Sequence, residues 1–251
     1  MSLRNELEYF FGAIRFFTRL PVPAWVGHSS EALASSTRYF PAVGIVVGGI
    51  AALVFLATSY VWPLTLAVLA SMAATLYITG AFHEDGWSDT IDGFGGGWEK
   101  ERVLAIMKDS RIGSYGAAAL IIMLLAKFCA LIELKPSLIP LAMIAGHALS
   151  RLCATAVMTS LDYVRDEGKA KPMSAKISPA ARLFALLTAL LPLLFLPWSQ
   201  VLTGLVLAAF ATLWLARLFE RRIGGYTGDC LGAVQQLSEV AFYCGLLCRF
   251  S

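Results

Sequence analysis

The sequence predicts an all-α fold: a polytopic membrane helix bundle of six to seven transmembrane helices. Three observations predict it. Apolar residues make up 58% of the 251 and charged residues only 15%, where a soluble domain carries about 25% charged residues. The apolar residues fall into blocks near the ~20 residues needed to cross roughly 30 Å of hydrocarbon, and the mean hydropathy is +0.69. Lys and Arg gather in alternate connections between those blocks, which is the distribution of cytoplasmic loops. The same composition excludes disorder, a disulfide scaffold and a water-soluble enzyme. A net charge of +3 is too small an excess for a nucleic-acid partner.

In chain order, residues 1–23 come first as an interfacial amphipathic segment. Leu7, Phe10, Phe11, Ile14 and Phe17 share one helical face with Arg15 and Arg19 off it, a pattern suited to a helix lying in the headgroup region. Pro21 and Pro23 end it. Arg15 and Arg19 also break any signal-peptide core, so no cleaved leader is expected. Six blocks then qualify as spans: 42–62, 63–82, 114–133, 136–159, 180–198 and 201–219. A weaker seventh, 231–248, carries Gln235, Gln236 and Glu239 and reads as tilted or re-entrant. Most of the 20 basic residues lie in 1–41, 83–113, 160–182 and 217–222, which places the N-terminus and every sizeable loop in the cytoplasm. The five cysteines form no CxxC pair and behave as small hydrophobes. No repeat is visible, and residues 1–251 read as a single integral membrane domain.

The loop after the second block, within 83–113, reads His83-Glu84-Asp85-Gly86-Trp87-Ser88-Asp89-Thr90-Ile91-Asp92-Gly93. Four carboxylates stand there with no Lys or Arg among them. If this stretch is helical, Asp85, Asp89 and Asp92 project from one face, with Glu84 beside them. Like charges at that spacing repel, so a cation is the natural compensation, and hard oxygen donors favour Mg²⁺, Mn²⁺ or Ca²⁺. Mg²⁺ commonly takes one or two carboxylates plus substrate phosphates, which suggests diphosphate chemistry at the membrane surface. A solvated acidic loop is the plain alternative. Gly93, Gly95, Gly96 and Gly97 follow, then an amphipathic helix over 99–108 with Val103, Ile106 and Met107 apolar. At its end Asp109 could complete a metal shell, and Lys108 or Arg111 could hold phosphate oxygens.

Polar residues inside the blocks are rarer. His147 and Arg151, four apart, face the same way, and an intramembrane Arg costs at least about 2.5 kcal/mol on insertion scales. They either meet an anionic ligand in a cavity or snorkel at the cytoplasmic end. Lys127 snorkels or pairs with a neighbouring helix. Asp229 is a helix N-cap or a ligand group, and Glu239 needs a polar partner or a wet cavity.

At these residues the sequence resembles the cobalamin synthase family, the adenosylcobinamide-GDP ribazoletransferases. The resemblance runs nearly end to end: Phe17-Thr18-Arg19-Leu20-Pro21-Val22-Pro23; Phe40-Pro41 ahead of Gly44; His83, Asp85-Gly86, Asp89 and Asp92-Gly93; Asp109-Ser110-Arg111 with Gly113 and Gly116; Ser150-Arg151; Arg165 with Glu167-Gly168; and Gly225 with Thr227-Gly228-Asp229 and Leu231-Gly232-Ala233. It implies a multi-pass enzyme of the bacterial cytoplasmic (inner) membrane, with its active site on the cytoplasmic loops. Its reaction is a Mg²⁺-dependent transfer in which a ribose hydroxyl of α-ribazole, or of its 5′-phosphate, attacks the cobinamide-linked phosphate of adenosylcobinamide-GDP and GMP leaves. The implied metal ligands are Glu84, Asp85, Asp89, Asp92 and Asp109. His83, Asp89 and Asp92 are the candidate catalytic groups, with either His83 or a cluster Asp as general base. Lys108, Arg111, Arg151, Thr227 and Asp229 are the candidate substrate contacts. The implied partners are the two substrates, the lipid bilayer, other late corrinoid-pathway enzymes and a second copy of the chain, with no nucleic acid.

Two other classes compete. A CDP-alcohol phosphotransferase also uses spaced aspartates at a membrane face, but its Asp-Gly-x-x-Ala-Arg opening is missing, because Trp87, Ser88 and Asp89 follow Gly86. A transporter with His147, Arg151 and Glu239 along a pathway would show polar groups near mid-bilayer and repeated halves.

Overall fold

A computed structural model describes residues 2–27, 29–165 and 177–248. Eleven α-helices order the described residues: α1 (Leu3–Phe17), α2 (Ser30–Ser36), α3 (Phe40–Ser59), α4 (Leu64–Thr79), α5 (Phe82–Gly96), α6 (Lys100–Lys108), α7 (Ser114–Glu133), α8 (Ile139–Ser160), α9 (Pro179–Leu190), α10 (Trp198–Ile223) and α11 (Gly228–Leu246). Short 3-10 turns precede α3 and follow α9. Among the described residues the one β-bridge joins Tyr163 and Tyr226. The predicted all-α membrane bundle is what the chain forms.

Among the described residues four helical stretches are long and apolar enough to cross a membrane: Ser30–Ser59, Ser114–Glu133, Ile139–Ser160 and Trp198–Ile223. A fifth exists if α4 and α5, bent by 86°, count as one broken span. This is fewer than the six to seven expected. The block at 180–198 divides into α9 and a 3-10 turn, a shorter apolar unit over Pro179–Phe195. The block at 63–82 ends at α4, where Gly80 (φ 65°) and Ala81 (φ 55°) both adopt the left-handed conformation and turn the chain. Glycine takes that conformation freely, alanine rarely. The guanidinium of Arg19 lies against Gly80, and the Arg19 N–H donates to Ile78 O at 2.7 Å, so the segment after α1 braces the bend. Beyond it α5 carries four carboxylates in fifteen residues and runs outside the spanning set.

Large apolar side chains such as Leu53, Leu69, Ile122, Leu187, Val206 and Phe210 remain exposed on the outer surfaces of α3, α4, α7, α9 and α10. A bilayer covers such a belt; water does not. Inside, close backbone contacts fix the packing. A Cβ on Gly48 would stand 2.6 Å from Ile144 Cα, and Gly44, one turn earlier, meets the backbone of His147 and Ala148. This small-xxx-small stripe lets α3 and α8 touch. At the other end of the bundle a Cβ on Gly204 of α10 would meet the Phe242 ring of α11 at 2.7 Å. Helix α11, doubted as a span, is the central buried helix: thirteen of its residues are buried, including Gln235, Gln236 and Glu239.

The first segment also departs from expectation. Helix α1 forms, but Ala13, Ile14 and Phe17 are buried in the main core. It stops four residues before Pro21, where the Thr18 side chain donates to Ile14 O at 2.7 Å.

Candidate active site

The stretch expected as an acidic loop is a helix, α5, and it lies against α11 through paired glycines. A Cβ on Gly86 would be 2.9 Å from Asp229 O, and one on Gly232 would be 3.2 Å from Gly86 Cα. Side chains at those two positions would separate the helices, so Gly86 and Gly232 are what bring Asp229 beside the acidic face of α5. The neighbouring Tyr163–Tyr226 bridge, with Val164 N–H to Tyr226 O at 3.0 Å and Tyr226 N–H to Asp162 O at 2.9 Å, carries Arg165 to the same place. Arg165 Nη2 then meets Asp229 Oδ2 at 2.8 Å.

On this face Asp85 is exposed and Asp89 half-buried, and among the described residues neither carboxylate has a hydrogen-bond partner. The carboxyl of Asp89 is pushed up to about 7, first by burial and then by the charges of Asp85 and Asp229, with Arg165 pulling the other way. Mutual repulsion of this kind is relieved by a cation.

Asp92 has a different occupation. It is buried, and its two oxygens accept the N–H groups of Gly113 at 2.7 Å and Gly116 at 2.8 Å. This is a carboxylate capping the start of α7. It docks α7 onto α5, with one N–H on each Asp92 oxygen. Glu84 points the other way, into the bundle, where Gln236 Nε2 donates to its Oε1 at 2.9 Å while its Oε2 is buried without a partner. Asp109 is paired with Arg111 in a two-pronged bridge, Nε to Oδ1 at 3.0 Å and Nη2 to Oδ2 at 2.6 Å. That bridge holds the Asp109 carboxyl down at about 2. Lys108 and Arg111 are exposed, and the Asp92–Gly113 bond ties their segment to α5. Thr227 caps α11, its hydroxyl accepting the Cys230 N–H at 3.3 Å, and is fully buried, so it orients the helix that carries Asp229. Among the described residues no group of three or more His, Cys, Asp or Glu side chains converges as a metal cage. Glu167-Gly168 lies outside the described residues.

On the inner side of α5, His83 stacks on Phe17, ring centroids 5.4 Å apart. Burial first, and the charge of Arg151 second, hold its imidazole well below the usual range, so it is neutral. His83, Arg151, Phe16, Phe17, Phe40 and Phe82 line a narrow cavity of about 30 Å³. Arg151 is 2% exposed. Its Nη1 donates to His147 O at 2.9 Å, and its Cζ sits 5.8 Å from the Phe17 ring centre. Nε and Nη2 are buried with no partner. Behind it lies a closed polar network. Glu239 receives Lys127 at 3.1 Å, His147 Nδ1 at 3.1 Å and the Tyr243 hydroxyl at 3.2 Å. Gln235 joins it at 2.5 Å and reaches Ser150 at 3.0 Å. Gln236 bonds Gln235 at 2.8 Å and continues to Glu84.

Sequence reasoning asked for a partner for Lys127 and for Glu239, and the two meet; it missed the aromatic wall and the other members of the network. Phe16 and Phe17 carried only an interfacial signal, and the partners of Glu239 come from three helices. The periodicity of α11 was a further clue, since it places Gln235, Gln236 and Glu239 within about one turn.

Residues 9–247 match the family model for cobalamin-5-phosphate synthase. The chain is 46% identical to the adenosylcobinamide-GDP ribazoletransferase of Shewanella woodyi, over 98% of this chain and 97% of that protein. It is equally similar to those of Shewanella frigidimarina, over 97% and 95%, and Leptothrix cholodnii, over 98% and 97%. No solved structure matches. With a match of this extent, the chain belongs to the cobalamin-5-phosphate synthase family.

Proposed function

We propose that this member of the cobalamin-5-phosphate synthase family is a membrane-embedded transferase that joins adenosylcobinamide-GDP to α-ribazole or its 5′-phosphate, releasing GMP. The observation that carries the reading is the near-full-length likeness to relatives bearing that activity as their name. The geometry agrees with it: a repelling carboxylate face and a buried cation with unpaired nitrogens lie on the two sides of one helix, α5.

In the transfer, the acceptor ribose oxygen forms a bond to the cobinamide-linked phosphorus. The bond from that phosphorus to the oxygen bridging to GMP breaks, and the hydroxyl proton passes to the protein. Asp85 and Asp89, two hard donors without hydrogen bonds, fit the one or two carboxylates that Mg²⁺ takes beside substrate phosphates, and Asp229 stands next to them. Mg²⁺ held there would supply charge neutralisation on the diphosphate and alignment of the leaving group. The proton passes to His83 or to a carboxylate of the cluster. Lys108 and Arg111 approach phosphate oxygens from the surface, and Arg151 from within. Asp92 and Thr227 serve by placing α7 and α11. The basic connections assign α5 and the N-terminus to the cytoplasmic side of a bacterial inner membrane.

The test is GMP release by purified protein in liposomes, given adenosylcobinamide-GDP and α-ribazole 5′-phosphate. Release with Mg²⁺ and none under chelation supports the full reading. No release from folded protein in either condition overturns it.

A further inference from the structure

We propose that the C-terminal end of α10 binds one anionic phospholipid, its phosphate between Arg217 and Arg221 and its acyl chains along the exposed apolar face of the same helix. The site takes no part in the transfer, so it stands whether or not the chain releases GMP.

The outward face of α10 changes character along its length. Leu202, Val206, Phe210 and Leu213 are exposed apolar side chains, spaced three and four apart and so on one side of the helix. Trp198 and Trp214, both exposed, stand about 24 Å apart along the axis, the placing of aromatic belts at the two edges of a bilayer. Arg217 and Arg221 follow on the same side, about 5 and 11 Å beyond Trp214, which is headgroup depth. Trp214, Arg217, Leu218 and Arg221 line a groove of about 250 Å³. It has room for a phosphodiester and glycerol but not for a whole lipid, so the chains run back over Phe210 and Val206.

Charge selects an anion. Arg217 and Arg221 are exposed, and among the described residues neither has a hydrogen-bond or ion-pair partner. Glu220, at the edge of this face, is exposed as well and pairs with neither. Their neighbour Arg222 is already occupied. Its Nη2 donates to Gly97 O at 2.6 Å and its Cζ sits 5.3 Å from the Phe94 ring centre, so it ties α10 to the end of α5. Two like charges one turn apart repel, and a shared phosphate offsets that repulsion with charge-assisted hydrogen bonds. An anionic headgroup keeps this gain, whereas the choline of a zwitterionic lipid brings a third positive charge to the groove. A soluble phosphate has nothing to set against Trp214 and Phe210, and a lipid does.

The test is quenching of tryptophan fluorescence in the full chain, reconstituted in phosphatidylcholine vesicles. A fixed fraction of the lipid is replaced by phosphatidylglycerol or by phosphatidylcholine brominated high on its acyl chains, at the depth of Trp214. The anionic lipid is expected to quench as though bound at least about fivefold more tightly, the worth of one arginine at an anionic headgroup, and raising the salt should shrink the difference. Trp214→Phe is expected to abolish the excess quenching. Arg217→Gln combined with Arg221→Gln is expected to bring the preference to within about twofold of none. Equal quenching of the wild-type chain by the two lipids overturns the site, and that comparison needs no variant to fold. A preference that survives both the Trp214 variant and the double arginine variant places the anionic lipid elsewhere on the bundle and overturns the site as well. Loss of the excess quenching in millimolar glycerol phosphate would assign the groove to a soluble phosphate and overturn the lipid.

Discussion

The outer face of α5 and the polar network beneath it are both rich in charge, yet they are built on opposite terms. In the network every charge has its partner: Lys127, His147, Tyr243 and Gln235 all converge on Glu239. On the outer face Asp89 is pushed up to about 7, first by burial and then by repulsion from Asp85 and Asp229. A closed set of charges holds helices together; an open set waits for a ligand. Two residues on the inner side are only half closed. Glu84 has one oxygen bonded to Gln236 and one orphaned, and Arg151 has one nitrogen bonded to His147 O and two orphaned.

The comparison can be broken from either side. The largest effect is expected inside. Glu239→Ala leaves Lys127 buried and unpaired, which should cost about 3–5 kcal/mol and show as lost thermal stability in detergent whether or not substrate is added. On the outer face, Asp89→Asn should cut Mg²⁺-dependent GMP release more than about a hundredfold, the upper range for disturbing a metal site. Its melting temperature should hold steady or rise, because the substitution removes repulsion. A large fall in stability instead would place Asp89 with the closed network.

Asp92 sharpens the contrast, because it shares the sequence pattern of Asp89 but not its environment. Asp92→Asn keeps one acceptor oxygen and loses the charge on the two amides. It should destabilise by about 1.5–3 kcal/mol, the range for hydrogen bonds to a charged group, measured by thermal unfolding, with activity falling only as far as stability does.

How much of this was legible in the sequence depended on whether the cause was local. Helix α7 occupies the expected 114–133, and α6 buries Val103 and Met107 as its apolar stripe requires. The break at Gly80 and Ala81 was hidden because apolar residues continue through it. That Asp92 also caps α7 was hidden because its partners, Gly113 and Gly116, lie 21 and 24 residues away. Helix α11 looked too polar to be central, since its compensation comes from α5, α7 and α8. Phe17 read as a membrane-surface residue and is instead a wall of the cavity. The carboxylates of α5 and the arginine at 151 were visible; which of their atoms remain free was not.

The smallest effect is expected at Arg111, whose exposed guanidinium already closes on Asp109. Arg111→Ala should raise the KM for adenosylcobinamide-GDP less than about tenfold, with kcat nearly unchanged, in keeping with the low worth of exposed ion pairs. A collapse of kcat would move Arg111 into the reacting centre.

The most direct single measurement is GMP release by the wild-type protein in liposomes, with both substrates present, as Mg²⁺ is titrated in and then removed by a chelator. The account predicts release that rises with Mg²⁺, saturates, and stops on chelation. Release that continues at an undiminished rate under chelation would contradict it, because the open charges of α5 would then have no cation to wait for.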